Sequence, residues 1–176
     1  GDADCGGLLN FGYYSGEGVT KLNEGRPIYV RMPDSKFTLQ NLMRANIYSA
    51  LAAVKLGMDI LQKDEHIKID RITGHGGLFG TPGVAQKYLA AAINTPVTVL
   101  STATEGGPWG MAILALYLVK GNGKSLPEYL DEEIFSQMEG LTMPPDPETV
   151  AGYEEFIKHY KAGLAIEKSA IENANW

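Results

Sequence analysis

Seven apolar residues recur at steps of three or four along one stretch: Leu39, Met43, Ile47, Leu51, Val54, Met58 and Leu61. That period puts them on one face of a long helix, with the stripe toward the core and Thr38 at the N-cap. "HIKIDRI" follows, where Ile67, Ile69 and Ile72 nearly alternate, which predicts a strand. A glycine-rich bend comes next, then a helix from Pro82 to about Ile93, with Thr81 as cap and Pro82 at the first position. Asn94-Thr95-Pro96 stops it, and "VTVLS" (Val97 to Ser101) reads as a buried strand. A third helix starts at Thr104-Glu105, runs to Val119 and ends at "KGNG". "PPDPETVAGYEEFIKHYKAGL" is the clearest helix of all: Asp146 caps it, Pro147 opens it, and Val150, Tyr153, Ile157, Tyr160 and Leu164 form its stripe.

Residues 1–36 stand apart as irregular, glycine-rich chain with two β-like pieces, "LLNFGYY" and "PIYVRM". Residues 37–165 form the expected folded domain, and residues 166–176 are expected to fray. Strands that alternate with helices imply an α/β protein with a mostly parallel sheet. In such sheets ligands bind off the carboxyl ends of strands, where the glycine bend falls. Four glycines, Gly74, Gly76, Gly77 and Gly80, lie within seven residues there. Ordering glycine costs backbone entropy, so the cluster marks backbone that something approaches closely.

Composition narrows the function. The chain has 176 residues, 44% hydrophobic and 20% charged, with a formal charge of −6. An acidic chain without basic runs excludes the usual nucleic-acid binder, whereas backbone N–H groups can still hold phosphate. A single cysteine, Cys5, rules out an internal disulfide and favours a reducing, cytoplasmic setting. The longest clean apolar run, Met111 to Val119, is too short to span a bilayer, and no signal peptide opens the chain. The start "GDADCGG" lacks Met and reads like the middle of a loop, so the chain is expected to be a piece of a longer protein.

Several familiar patterns fail on inspection. A G-x-G-x-x-G fingerprint from Gly74 would need glycine at position 79, which is Phe79, and no acidic residue ends the next strand. "GNGKS" (Gly121 to Ser125) follows a helix rather than a strand and lacks the first P-loop glycine, so it reads as a helix stop and polar turn. "HGG" (His75 to Gly77) suggests an oxyanion loop, but the chain has no G-x-S-x-G elbow. His66, His75 and His159 lack metal-ligand spacing; His75 alone sits in a loop that could meet a ligand. In "TEGGPWGMAILALYL", Gly106, Gly107 and Gly110 leave one helix end thin for close packing. What survives is a strand, Gly74-x-Gly76-Gly77, a short loop and a helix at Thr81-Pro82. A flat ring could lie on that bare backbone, with a helix N-terminus beside it.

In order along the chain stand Gly76-Gly77, Gln86, "TPVTVL", Glu105 and Gly110-Met111-Ala112. Upstream lie "GLLNFGYYSGEGVT" and Arg44-Ala45; downstream lies the tyrosine-bearing helix after Pro145-Asp146. Over roughly residues 7–165 this series resembles the C-terminal domain of the FGGY carbohydrate kinases, nearest the xylulose and ribulose branch. The chain departs from the family pattern at Gly18, where the family carries an arginine, at Tyr48, where it carries an acidic residue, and at Ala91-Ala92, where an aspartate is missing.

The resemblance implies a partial ribonuclease H-like fold, similar to actin, Hsp70 and hexokinase, whose C-terminal domain holds ATP. By position, Gly76 and Gly77 would meet the nucleotide, Thr81 would stand at an adenine-contacting position, and Gly74 and Phe79 would border the site. The catalytic base and the Mg²⁺ carboxylate precede this segment in the family. This chain is therefore expected to carry no catalytic or metal-binding residue and to be inactive alone. The intact enzyme would transfer the γ-phosphoryl of MgATP to a sugar, with a pentulose such as xylulose or ribulose expected. The sugar would bind through the missing domain, and a homodimer is one admissible assembly. The competing reading is a non-catalytic, nucleotide-responsive module of the same fold that binds a partner protein. A third, a Rossmann dehydrogenase domain, would bind NAD instead.

Overall fold

The structure, a computed structural model, describes residues 1–174. Its elements run β1 (Leu9–Phe11), β2 (Ile28–Val30), α1 (Leu39–Asp59), β3 (Ile72–Gly74), α2 (Val84–Ile93), β4 (Val97–Leu100), α3 (Gly106–Lys120), α4 (Leu126–Tyr129), β5 (Gly140–Met143) and α5 (Pro147–Asn173). They form two compact units. One holds residues 1–69, 88–95 and 145–174; the other holds residues 70–87 and 96–144.

The first unit is built on tyrosines. Tyr48, Tyr153, Phe156 and Tyr160 are buried, and the Tyr48 and Tyr153 rings lie 4.6 Å apart between centroids. Each buried phenol needs a hydrogen-bond partner, and each has one. Tyr48 donates to the Ala3 carbonyl at 3.0 Å, Tyr153 to the Tyr48 carbonyl at 3.1 Å, and Tyr160 to the Tyr13 hydroxyl at 2.9 Å. Burial pushes the Tyr48, Tyr153 and Tyr160 phenols well above their ordinary range, so all three stay neutral donors. β1 and β2 pair antiparallel, and Phe11 stacks obliquely on Tyr160 at 4.8 Å.

The caps of α1 and α5 fall where the sequence puts them. Thr38 accepts from Asn41 N–H at the start of α1, and Asp146 accepts from Thr149 N–H at 3.0 Å at the start of α5. The orientation of α1 differs from expectation. Of the seven stripe residues only Leu51 is buried; Leu39 is 70% exposed and Met43 56%. The buried side carries Asn41, Ala45, Tyr48, Ala52, Lys55 and Asp59 instead. The polar members are admitted because they find partners. Lys55 reaches Glu154 at 2.6 Å and Asp59 at 3.1 Å, and Asp59 also meets Lys63 and Lys161. Burial raises the Asp59 carboxyl, but the Lys63 and Lys55 ammonium groups outweigh it and hold it below the usual range. α5 runs on to Asn173 through the stretch expected to fray.

The second unit contains the sheet. β3 pairs parallel with β4, and β4 pairs antiparallel with β5, so the sheet is mixed rather than mostly parallel. β5 lies in a stretch that reads as merely polar. The expected strand over "HIKIDRI" shrinks to Ile72–Gly74, because only there does β4 supply a ladder. "GNGKS" is the helix stop expected: Gly121 N–H returns to the Tyr117 carbonyl at 2.8 Å, and Asn122 and Gly123 turn the chain at positive φ.

Two outcomes test the first unit. A Cβ at Gly152 would sit 2.2 Å from the Ala3 carbonyl oxygen, which is backbone and cannot swing aside. Gly152→Ala should therefore lower the unfolding free energy by about 1–3 kcal/mol, although Ala is the better helix former by roughly 1 kcal/mol. Chemical denaturation reads this; an unchanged or higher midpoint refutes the packing. Glu167 is fully buried, accepts from Arg26 N–H at 2.6 Å through one oxygen and leaves the other without a hydrogen-bond partner. Burial pushes its carboxyl above the ordinary 4.5, with the Arg26 N–H opposing. The protonated form suits the fold, so this group's stabilisation is complete below the unfolded value and is lost as pH rises through the folded one. Glu167→Gln should raise the thermal midpoint at about pH 7–8, with the gain shrinking toward acid. A gain that is flat with pH would exclude this account.

Candidate functional site

The site lies in the second unit, where β3 and β4 give out. Gly76 has φ 106° and ψ 172°, a conformation that side chains resist, and it turns the chain out of β3. Its N–H donates to the Ala103 carbonyl at 2.6 Å, which ties the loop after β3 to the loop after β4. Gly77–Gly80 then forms a single 3₁₀ turn, and Phe79 N–H closes it on the Gly76 carbonyl at 3.0 Å.

Helix α2 begins at Val84, not Pro82. Gly83 lies at φ 76°, which breaks the helical path between Pro82 and Val84. Thr81 is consequently no side-chain cap; its carbonyl accepts from Val84 N–H at 3.3 Å in a turn. The helix N-terminus sits further along than the sequence suggests.

These turns enclose a cavity of about 480 Å³. Phe79, Thr81 and Pro82 line one side; Val99, Ser101 and Thr104 line another. That volume falls in the range that holds a nucleotide-sized ligand, roughly 300–1,000 Å³. At its base is Gln86, which is buried. Its Nε2 donates to the Val97 carbonyl at 2.8 Å and to the Leu141 carbonyl at 2.6 Å, so one amide fixes α2 to β4 and β5. The Thr98 and Thr142 hydroxyls meet at 2.7 Å across the same two strands.

Of the five residues singled out from sequence, Phe79 and Thr81 line the cavity. Gly74 does not: it lies under the Phe79 ring, where a Cβ would come within 2.4 Å of that ring. Gly76 and Gly77 do not line it either, and a Cβ on either would meet nothing within 4 Å. Their surfaces are open to an approaching group. His75 turns elsewhere. It packs against Gly106, where a Cβ would sit 2.9 Å from the His75 Cβ, and stacks near Trp109 at 6.4 Å between ring centroids. Close packing at the start of α3 is thus realised at Gly106, whereas Gly107 and Gly110 face open space.

Ser101, Thr104 and the β5 residues escaped the sequence reading. A polar Gln86 among Ala85, Leu89 and Ala90 was the available signal for a buried, structural amide. Among the described residues no group of three or more His, Cys, Asp and Glu could hold a metal ion, and no helix is long and apolar enough to cross a membrane.

Known proteins share this fold. Residues 1–119 match the model of the FGGY family of carbohydrate kinases, C-terminal domain. The xylulose kinase of Haemophilus influenzae is 24% identical over 159 residues, which cover 90% of this chain and 31% of that protein. Among solved structures, the xylulose kinase of Lactobacillus acidophilus superposes with TM-score 0.68 at 19% identity, over 97% of this chain and 33% of the other. The gluconate kinase of the same organism gives 0.70 at 18% identity, over 93% and 32%. The glycerol kinase of Plasmodium falciparum, solved with ADP, gives 0.63 at 17% identity, over 93% and 31%. These likenesses establish the fold, that of the actin- and hexokinase-like ATPases. The chain spans about a third of the length of each of these relatives.

The Gln86 bridge predicts its own test. Gln86→Leu removes both amide hydrogen bonds that tie α2 to β4 and β5, so the unfolding free energy should fall by about 1–3 kcal/mol. Denaturant titration checks it, and an unchanged midpoint would mean the amide is dispensable.

Proposed function

The chain belongs to the FGGY family of carbohydrate kinases, as part of its C-terminal domain, and from that premise we propose that it supplies the adenine-nucleotide site of an ATP-dependent sugar kinase. The intact protein moves the γ-phosphoryl of MgATP to a hydroxyl of a sugar, with a pentulose such as xylulose or ribulose the favoured acceptor. The observation that carries this reading is the cavity lined by the turn that follows Gly76-Gly77. It offers an aromatic and apolar surface at Phe79, Pro82, Val99 and Leu100 and hydroxyls at Thr81, Ser101 and Thr104.

That lining suits a purine and its ribose. It does not suit a triphosphate: no lysine or arginine lines it, and Glu139 is its one charged residue. The base would rest against Phe79 and the bare backbone at Gly76 and Gly77, with Gly74 holding Phe79 in place and Thr81 reaching a polar edge of the ring. The family resemblance puts the Mg²⁺ carboxylate in the portion upstream, so Mg²⁺ and the phosphates would be held there, with water filling the rest of its octahedral shell. Phosphoryl transfer rests on positioning and on neutralising charge at the γ-phosphate. The catalytic base, the metal ligands and the sugar pocket all belong to the portion upstream, so this chain alone does not turn over. The setting is cytoplasmic, where ATP and free sugars meet.

Full-length protein should consume ATP with at least one member of a panel of ketopentoses, and the 176-residue chain should not. Failure on every sugar and polyol would favour a non-catalytic, nucleotide-responsive module. Gly77→Leu places a side chain in the open space at the site without a backbone penalty. It should raise KM for ATP about ten-fold or more while leaving the thermal midpoint and the KM for sugar nearly unchanged. An unaltered KM for ATP would move the nucleotide elsewhere.

A further inference from the structure

Glu139 is the one charged residue that lines the cavity, and the backbone around it is pinned. Its carbonyl accepts from Ser101 N–H at 3.3 Å, just beyond the end of β4. Gly140 follows and opens β5 opposite Leu100. A Cβ at Gly140 would come within 2.8 Å of the Leu100 side chain and 2.9 Å of the Thr98 side chain, so the two strands meet closely there. The Glu139 side chain therefore starts from a fixed point. It is exposed, as are Thr81, Ser101 and Thr104, whereas Gln86 and Ala103 are buried and Phe79, Val99 and Leu100 half-buried. The cavity thus has a mostly apolar interior and a polar mouth, and Glu139 stands at the mouth. No lysine or arginine lines the cavity to engage the carboxylate.

A nucleoside distributes itself by the same rule. The purine has apolar faces and enters the interior, and the ribose keeps its hydroxyls at the mouth. An ionised carboxylate only accepts hydrogen bonds. On a nucleotide it can accept from the N–H groups of the base edge or from the ribose hydroxyls. A phosphate at neutral pH offers it no donor and repels it. Its place at the mouth selects the ribose. On the premise of the nucleotide site described above, we propose that Glu139 is a specificity residue for ribose. Its carboxylate accepts from the vicinal 2′- and 3′-hydroxyls, a donor for each oxygen, and its charge turns the triphosphate away from this part of the rim.

The test is titration calorimetry of the full-length protein and its Glu139→Ala variant with ATP, 2′,3′-dideoxyATP and GTP. Glu139 is exposed, so the substitution should leave the thermal midpoint unchanged. The unsubstituted protein should bind ATP about ten-fold or more tightly than 2′,3′-dideoxyATP. The variant should lose most of that preference through a higher Kd for ATP, with the Kd for 2′,3′-dideoxyATP nearly unchanged. The ATP-to-GTP affinity ratio should be the same in both proteins. A preference for the hydroxyl-bearing nucleotide that survives in the variant overturns the proposal. So does an altered ATP-to-GTP ratio, which puts the carboxylate on the base, and so does tighter binding of ATP, which puts it beside the phosphates. Gly77→Leu, titrated alongside, separates this failure from that of the site. Weaker ATP binding in Gly77→Leu alone rejects only the role of Glu139, and an unaltered Kd for ATP in both variants rejects the cavity as the nucleotide site.

Discussion

One backbone conformation organises the candidate site. Gly76 holds φ 106°, which lets its N–H point back to the Ala103 carbonyl at 2.6 Å while the chain leaves β3. With a side chain at this position the backbone would be strained and the bend would open. The loops after the two parallel strands would then lose their one direct backbone link, and Phe79 and Thr104 would no longer face a common space. Gln86 performs the complementary task from below, by locking the start of α2 to β4 and β5. The cavity is thus shaped by one glycine at the bend after β3 and one amide at the start of α2.

The distribution of charge explains why such a site can exist in an acidic chain. Its lining contributes an aromatic ring, hydroxyls and backbone, with Glu139 the one charged residue in it. A kinase gains where nucleotide grip and phosphate chemistry lie apart. The base can be gripped by rigid, uncharged groups, while charge neutralisation is assembled where the acceptor hydroxyl arrives. On the proposed function, local features of this unit would set nucleotide affinity, and the rate constant would depend on groups beyond it.

Much of the fold was legible because its signals are local. Thr38 and Asp146 announce helix starts through their own side-chain oxygens, and "VTVLS" is β-branched enough to be a strand in most settings. The start of α2 was not legible, since the Thr81-Pro82 pair is a good helix opening until Gly83 takes a positive φ. β5 was missed because Gly140–Met143 owes its strand to β4 rather than to its own pattern. The site was legible in part for the same reason. Glycines mark bare backbone wherever they fall, but whether Gly74 serves a ligand or the Phe79 ring depends on where that ring comes to rest.

The face of α1 is the most instructive miss, because the periodicity was sound and its assignment to the local core was not. Leu39, Met43 and Val54 form a real stripe, yet the side that packs within this chain is the one with Tyr48, Lys55 and Asp59. Hydrophobic period reports that a face will be covered; it says nothing about which polypeptide covers it. A helix bearing two buriable sides, one closed by tyrosines and paired charges and one closed by carbon alone, can be satisfied only when two partners are present. The tyrosine side is filled by α5 of this chain, through Tyr153 and Phe156. The aliphatic side of α1 and the exposed length of α3 pose the same physical demand.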